Sequence, residues 1–104
     1  MHNKNISTKK LKELKNRYAN NYQVSAQEIY SVDLCHNFQR FDQLYFNLEL
    51  EEKLNGLRWS TRLTRSAGNC RNGKISLSVP YHRKHPDEIN NTLVHEMIHL
   101  KINQ

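Results

Sequence analysis

The sequence predicts an α+β domain: two N-terminal helices, a small antiparallel sheet with a hairpin, and a last helix carrying two histidines four residues apart. Three observations predict it. Apolar residues recur at helical spacing in the first half of the chain, the period drops to two from residue 57, and helical spacing returns after Pro86. With 104 residues, 37% hydrophobic and 25% charged, the chain has the size and composition of one globular domain. It holds no run of about 18 apolar residues, so no membrane span is expected. Its start, Met1-His2-Asn3-Lys4-Asn5, lacks the apolar core of a secretory signal. Cys35 and Cys70 form no paired-cysteine metal spacing and read as free buried thiols in a reducing compartment. An intracellular location follows as the expectation: nucleus or chromatin if the source is eukaryotic, otherwise cytoplasm.

Ser7 to Tyr22 reads as a basic helix, with Leu11, Leu14, Tyr18 and Tyr22 on one side and Lys9, Lys10, Lys12, Lys15 and Arg17 on the others. Residues 1–24 are taken as this basic helix and 25–104 as the main domain. The second helix opens on Ser25-Ala26-Gln27-Glu28, a capping box in which the serine hydroxyl and the glutamate carboxylate satisfy each other's backbone N–H groups. Val24 and Ile29 occupy the positions of a hydrophobic staple around it. Tyr30, Leu34, Phe38, Phe41, Tyr45 and Leu48 then form an apolar stripe lasting to about residue 46, with His36 off the stripe at the surface.

Leu57, Trp59, Thr61 and Leu63 alternate with Arg58, Ser60, Arg62 and Thr64, the pattern of a half-buried strand with one basic face. Ile75, Leu77 and Val79 alternate with Lys74, Ser76 and Ser78 in the same way. Asn72-Gly73 before the second run favours a type I′ turn, so a hairpin is expected with residues 66–71 pairing to 74–79. Tyr81-His82-Arg83-Lys84-His85 reads as a polar connection. Pro86, Asp87 and Glu88 then suit the first turn of a helix, where proline fits and the dipole favours acids.

That helix carries His95-Glu96-Met97-Ile98-His99, the HExxH signature. Histidines at i and i+4 share a helix face and can reach one ion, which makes His95 and His99 candidate ligands of Zn2+. Glu96 lies one residue on, placed to address a water on that ion. Ile89, Leu93, Met97 and Leu100 form an apolar stripe, with both histidines off it on a face of their own. Catalytic zinc takes three protein ligands and a water. The motif supplies two, and Leu100 to Gln104 are the residues that follow it.

The formal charge of +6 is uneven. Residues 1–24 carry six Lys/Arg against one acid, and residues 58–85 carry seven against none. Residues 25–57 are acidic, with two bases and six acids. Two basic blocks could meet on one face that attracts phosphate backbones, or could be solvated surfaces only.

Five runs of residues, in order, resemble one family. They are Phe41-Asp42-Gln43-Leu44-Tyr45-Phe46-Asn47, Leu57-Arg58-Trp59-Ser60-Thr61-Arg62-Leu63, Ser66-Ala67-Gly68-Asn69-Cys70, Ile75-Ser76-Leu77-Ser78, and Asn91-Thr92-Leu93-Val94-His95-Glu96-Met97-Ile98-His99. Together they look like the SprT-like domain of SprT and Spartan-type zinc metallopeptidases, over roughly residues 38–102. The resemblance implies His95 and His99 as zinc ligands, Glu96 as general base, and a protein substrate, DNA-associated or DNA-crosslinked. It also implies a third histidine from a segment downstream of the motif, whereas this sequence reads as a zincin-like minidomain truncated just after HExxH. The family pattern does not use His82 or His85 as ligands. Two function classes remain. One is a zinc metallopeptidase with DNA as a partner through the basic surface. The other is a catalytically incomplete domain or fragment that binds DNA or a partner. No oligomeric state is specified by the sequence.

Overall fold

The computed structural model describes residues 23–102. The basic helix expected over Ser7–Tyr22, and His2 with it, lies outside the described residues. Among the described residues no helix is long and apolar enough to cross a membrane.

The first described helix, α1, covers Ala26–Tyr30 and forms for the expected reason: Glu28 N–H donates to Ser25 Oγ at 3.1 Å while Ser25 N–H donates to Glu28 Oε1 at 2.8 Å. The helix then stops where the apolar stripe alone predicts continuation. Asp33 accepts from His36 N–H at 3.0 Å and caps a new helix, α2, over Leu34–Tyr45. A short acid that captures the next turn's N–H starts a helix rather than continuing one. The single helix expected over this stretch is thus two, and the stripe is redistributed. Leu34 and Phe38 are buried, Phe41 is half-buried, and Tyr30, Tyr45 and Leu48 are exposed. Asp42, fully buried on α2, accepts from the N–H groups of Leu50 and Glu51 at 3.1 and 3.2 Å. It thereby turns the chain into a 3-10 turn over Glu51–Lys53 and seats Leu50 in the core.

Three strands follow: β1 Gly56–Ser60, β2 Gly68–Arg71 and β3 Lys74–Ser78. The predicted hairpin is β2–β3, with Gly68 opposite Leu77 and Arg71 opposite Lys74. Asn72 and Gly73 turn it with φ of 52° and 79°, the two positive values a type I′ turn requires. β1 departs from the expectation of an antiparallel sheet. It runs parallel to β3, with Leu57 beside Ile75 and Trp59 beside Leu77, in the order β1-β3-β2. Two-residue alternation reports which face is buried and carries no information on strand direction, so the sheet is mixed. β1 also ends before the alternation does. Ser60 Oγ accepts from the N–H groups of Arg62 and Leu63, both at 3.2 Å, and bends the chain away.

The predicted polar connection is instead a helix, α3, over Val79–Lys84. Ser78 caps it by accepting from Tyr81 N–H at 3.0 Å, and Pro80 sits in its first turn. A 3-10 turn over Pro86–Glu88 leads into α4, Ile89–Ile102. The stripe Ile89, Leu93, Met97 and Leu100 is buried as predicted, against the inner sheet face of Ile75 and Leu77 and against Phe38 and Leu50. The opposite sheet face carries Arg58, Arg71 and Lys74 outward.

Candidate metal centre

The motif lies in the second half of α4, where three consecutive faces of one helix do different things. Leu93, Met97 and Leu100 point into the core. His95 is exposed, His99 is half-buried, and Glu96 is 5% exposed. The two imidazoles converge: their Nε2 atoms are 3.1 Å apart, with ring centroids 4.7 Å apart and planes at 76°. Two nitrogens about 2.0–2.1 Å from a tetrahedral zinc stand about 3.3 Å from each other, so this pair fits as two ligands of one ion. Among the described residues no group of three or more His, Cys, Asp or Glu is arranged to hold a metal.

The other histidines among the described residues do not join the pair. His36 is exposed near the start of α2. His82 is fully buried and bonded at both ring nitrogens. His85 stacks on Tyr81 with centroids 4.5 Å apart and lies 3.9 Å from Glu88. Both cysteines are free, Cys35 exposed rather than buried and Cys70 half-buried on β2. Burial pushes the Cys70 thiol pKa up, and the charge of Glu96 adds to that, so it is a poor nucleophile at neutral pH.

Glu96 is placed by β2. A Cβ on Gly68 would come 2.9 Å from Thr92 Cγ2, 3.0 Å from Ser76 O and 3.3 Å from Glu96 Cγ, so only glycine lets the strand rest this closely on α4. Gly68 stands out in the Ser66–Cys70 run, but its need for close approach became visible only with the partner helix beside it. Burial raises the pKa of the Glu96 carboxyl above its ordinary value of 4.5, while His95 and His99 pull it down. A base poised in this direction is better matched to proton transfer near neutral pH. Beyond the histidines, Phe41, Tyr45, Val94 and Ile98 line an open cleft of about 580 Å³ with His95 as one wall.

Fold and site together define a class: a small α+β domain whose HExxH helix lies beneath the edge strand of a mixed sheet. The chain belongs to the SprT-like family, whose sequence profile matches residues 34–104. No curated protein and no solved structure matches it.

Proposed function

We propose that this chain is a SprT-like zinc metallopeptidase domain acting on DNA-associated or DNA-crosslinked proteins. The observation that carries the reading is the convergence of His95 and His99 at 3.1 Å, next to a Glu96 buried beneath the edge strand. His95 and His99 would hold the ion through Nε2. A zinc ion there supplies Lewis-acid activation of water and of a peptide carbonyl. Glu96 takes the proton of the attacking water on a carboxylate oxygen and returns it to the leaving amine. Among the described residues β2 is an outer strand of the sheet, so an extended substrate segment can pair with its edge and lie across the motif. Arg58, Arg71 and Lys74 on the outer sheet face supply charge for DNA.

The test is metal analysis of the purified chain with histone and casein cleavage, with and without DNA. Zinc uptake and cleavage abolished by Glu96→Gln are expected. Absence of both zinc and Glu96-dependent cleavage rejects the reading.

A second reading is favoured by the two-histidine donor set itself, which no third side chain completes among the described residues. On that reading the domain binds DNA or a partner without cutting. DNA affinity that falls steeply with salt, together with no cleavage, supports it. Salt-insensitive or absent binding counts against it.

A further inference from the structure

His82 is outside the motif and outside the core stripe, yet it is completely buried and joins three elements. Its Nδ1 lies 2.8 Å from Ser78 O, and its Nε2 lies 2.9 Å from Thr92 Oγ1. A carbonyl oxygen only accepts, so Nδ1 carries the hydrogen and Nε2 is left to accept from the Thr92 hydroxyl. Ser78 is itself fixed. Its N–H donates to Ala67 O at 2.8 Å and its Oγ to Leu63 O at 2.6 Å, tying the end of β3 to the segment that leads into β2. Trp59 of β1 and Tyr81 hold the imidazole edge-on, with centroids 5.8 and 5.0 Å away.

Thr92 stands one helical turn before Glu96 on the same face of α4. Its two branches have opposite duties. The methyl faces Gly68, and the hydroxyl is held by His82. A β-branched side chain gripped from both sides cannot rotate about χ1 without losing one contact. The roll of α4 about its own axis is therefore set at Thr92. Because Glu96, His95 and His99 are on the same rigid helix, that roll decides how all three face the edge of β2.

We infer that His82 and Thr92 are a positioning pair, in which a buried imidazole fixes the rotation of the motif helix against the edge strand. For turnover the inference rests on the peptidase reading; for geometry it does not.

The experiment uses the whole chain, ¹⁵N/¹³C-labelled, as wild type, Thr92→Val, Thr92→Ser, His82→Leu and the His82→Leu/Thr92→Val double variant. Thr92→Val keeps the shape and removes the hydroxyl, which keeps the test valid if His82→Leu folds poorly. In Thr92→Val, the Gly68 Hα to Glu96 side-chain cross-peaks are expected to weaken and the His95–His99 resonances to move, while Phe38 and Leu50 stay in place. Thr92→Ser, which retains the hydroxyl but gives up the methyl contact on Gly68, is expected to lie closer to the wild-type pattern than Thr92→Val does. In a cleavage assay kcat is expected to fall about tenfold to a hundredfold with KM unchanged, the scale of a small misplacement of reacting groups. The double variant is expected to lose no more than the worse single variant. Unchanged cross-peaks and resonances in Thr92→Val overturn the inference, as do equal effects of Ser and Val or additive losses in the double variant. A wild-type chain that takes up no zinc and cleaves nothing removes the peptidase reading, and the cross-peaks still decide the positioning role.

Discussion

His82 and the His95/His99 pair are the same side chain put to opposite uses within a few turns of chain. His82 is shut off from solvent, with each ring nitrogen matched to one protein oxygen. His95 is exposed, and its Nε2 faces the Nε2 of His99. A histidine whose nitrogens are both spent on oxygens belongs to the scaffold. Two whose Nε2 atoms are turned toward each other stand at the spacing of two ligands on one ion. Deletion separates these uses most strongly at the scaffold end. His82→Ala leaves a cavity and strips Ser78 O and the Thr92 hydroxyl of partners in a dry site, and is expected to cost about 3 kcal/mol. Urea denaturation measures it, and a loss under about 1 kcal/mol would break the contrast.

Acid acts next. Burial lowers the pKa of His82 from its ordinary 6.5, against the opposing pull of its bond to Ser78 and of Glu88, while His85 adds to the lowering. As the medium is acidified the unfolded chain therefore takes up this proton first, and the linkage has a definite sign. The contribution is fully present above pH 6.5 and is lost as the pH falls through the folded-state value. Protonation also converts Nε2 into a donor and breaks its acceptance from Thr92. Urea midpoints measured from about pH 7.5 down to about pH 5 are expected to fall more steeply in the wild type than in His82→Leu. Equal slopes would mean that His82 does not titrate with unfolding. On the alkaline side the neighbour Tyr81 gives an effect of opposite sign. Its bond to Glu88 pushes its pKa up from 10 to about 12, so its contribution is present below pH 10 and lost above it. Tyr81→Phe is expected to reduce stability by about 1 kcal/mol at neutral pH, because the bond is part-exposed.

The two histidine environments were not equally legible in sequence. HExxH is a spacing rule internal to one helix, and helix geometry alone makes its nitrogens converge. The α4 stripe and the Asn72-Gly73 hairpin were legible for the same reason, since period and turn chemistry are local. His82 answers to Thr92, ten residues away, and no local pattern encodes that pairing. A local signal for α3 did exist in Ser78-Val79-Pro80, a cap followed by proline in the first turn. The parallel placement of β1 and the break at Asp33 were hidden differently. Alternation does not encode strand direction, and a helical stripe continues in register across a capping residue that interrupts the helix itself. Cys35 went the other way: its residue type favours burial, but its position beside the Asp33 cap leaves it outside.

The sharpest form of the comparison carries the smallest expected cost. His95→Ala removes an exposed imidazole and His99→Ala a half-buried one, and the two bond to each other. Without added metal His95→Ala is expected to change stability by no more than about 0.5 kcal/mol, the ordinary range for surface substitutions, and His99→Ala by no more than about 1 kcal/mol. With zinc the variants and the wild type must part. A ligand that binds the folded chain raises the melting temperature in proportion to the logarithm of its concentration over Kd. Wild type is therefore expected to gain stability on zinc addition and lose it again to a chelator, and both single variants to gain almost none. His82→Leu supplies the counter-case: it is expected to melt earlier at every zinc concentration while keeping a zinc-dependent rise. If His95→Ala destabilised the metal-free chain as much as His82→Ala does, the pair would belong to the scaffold, and convergence at 3.1 Å would be packing rather than a waiting coordination site.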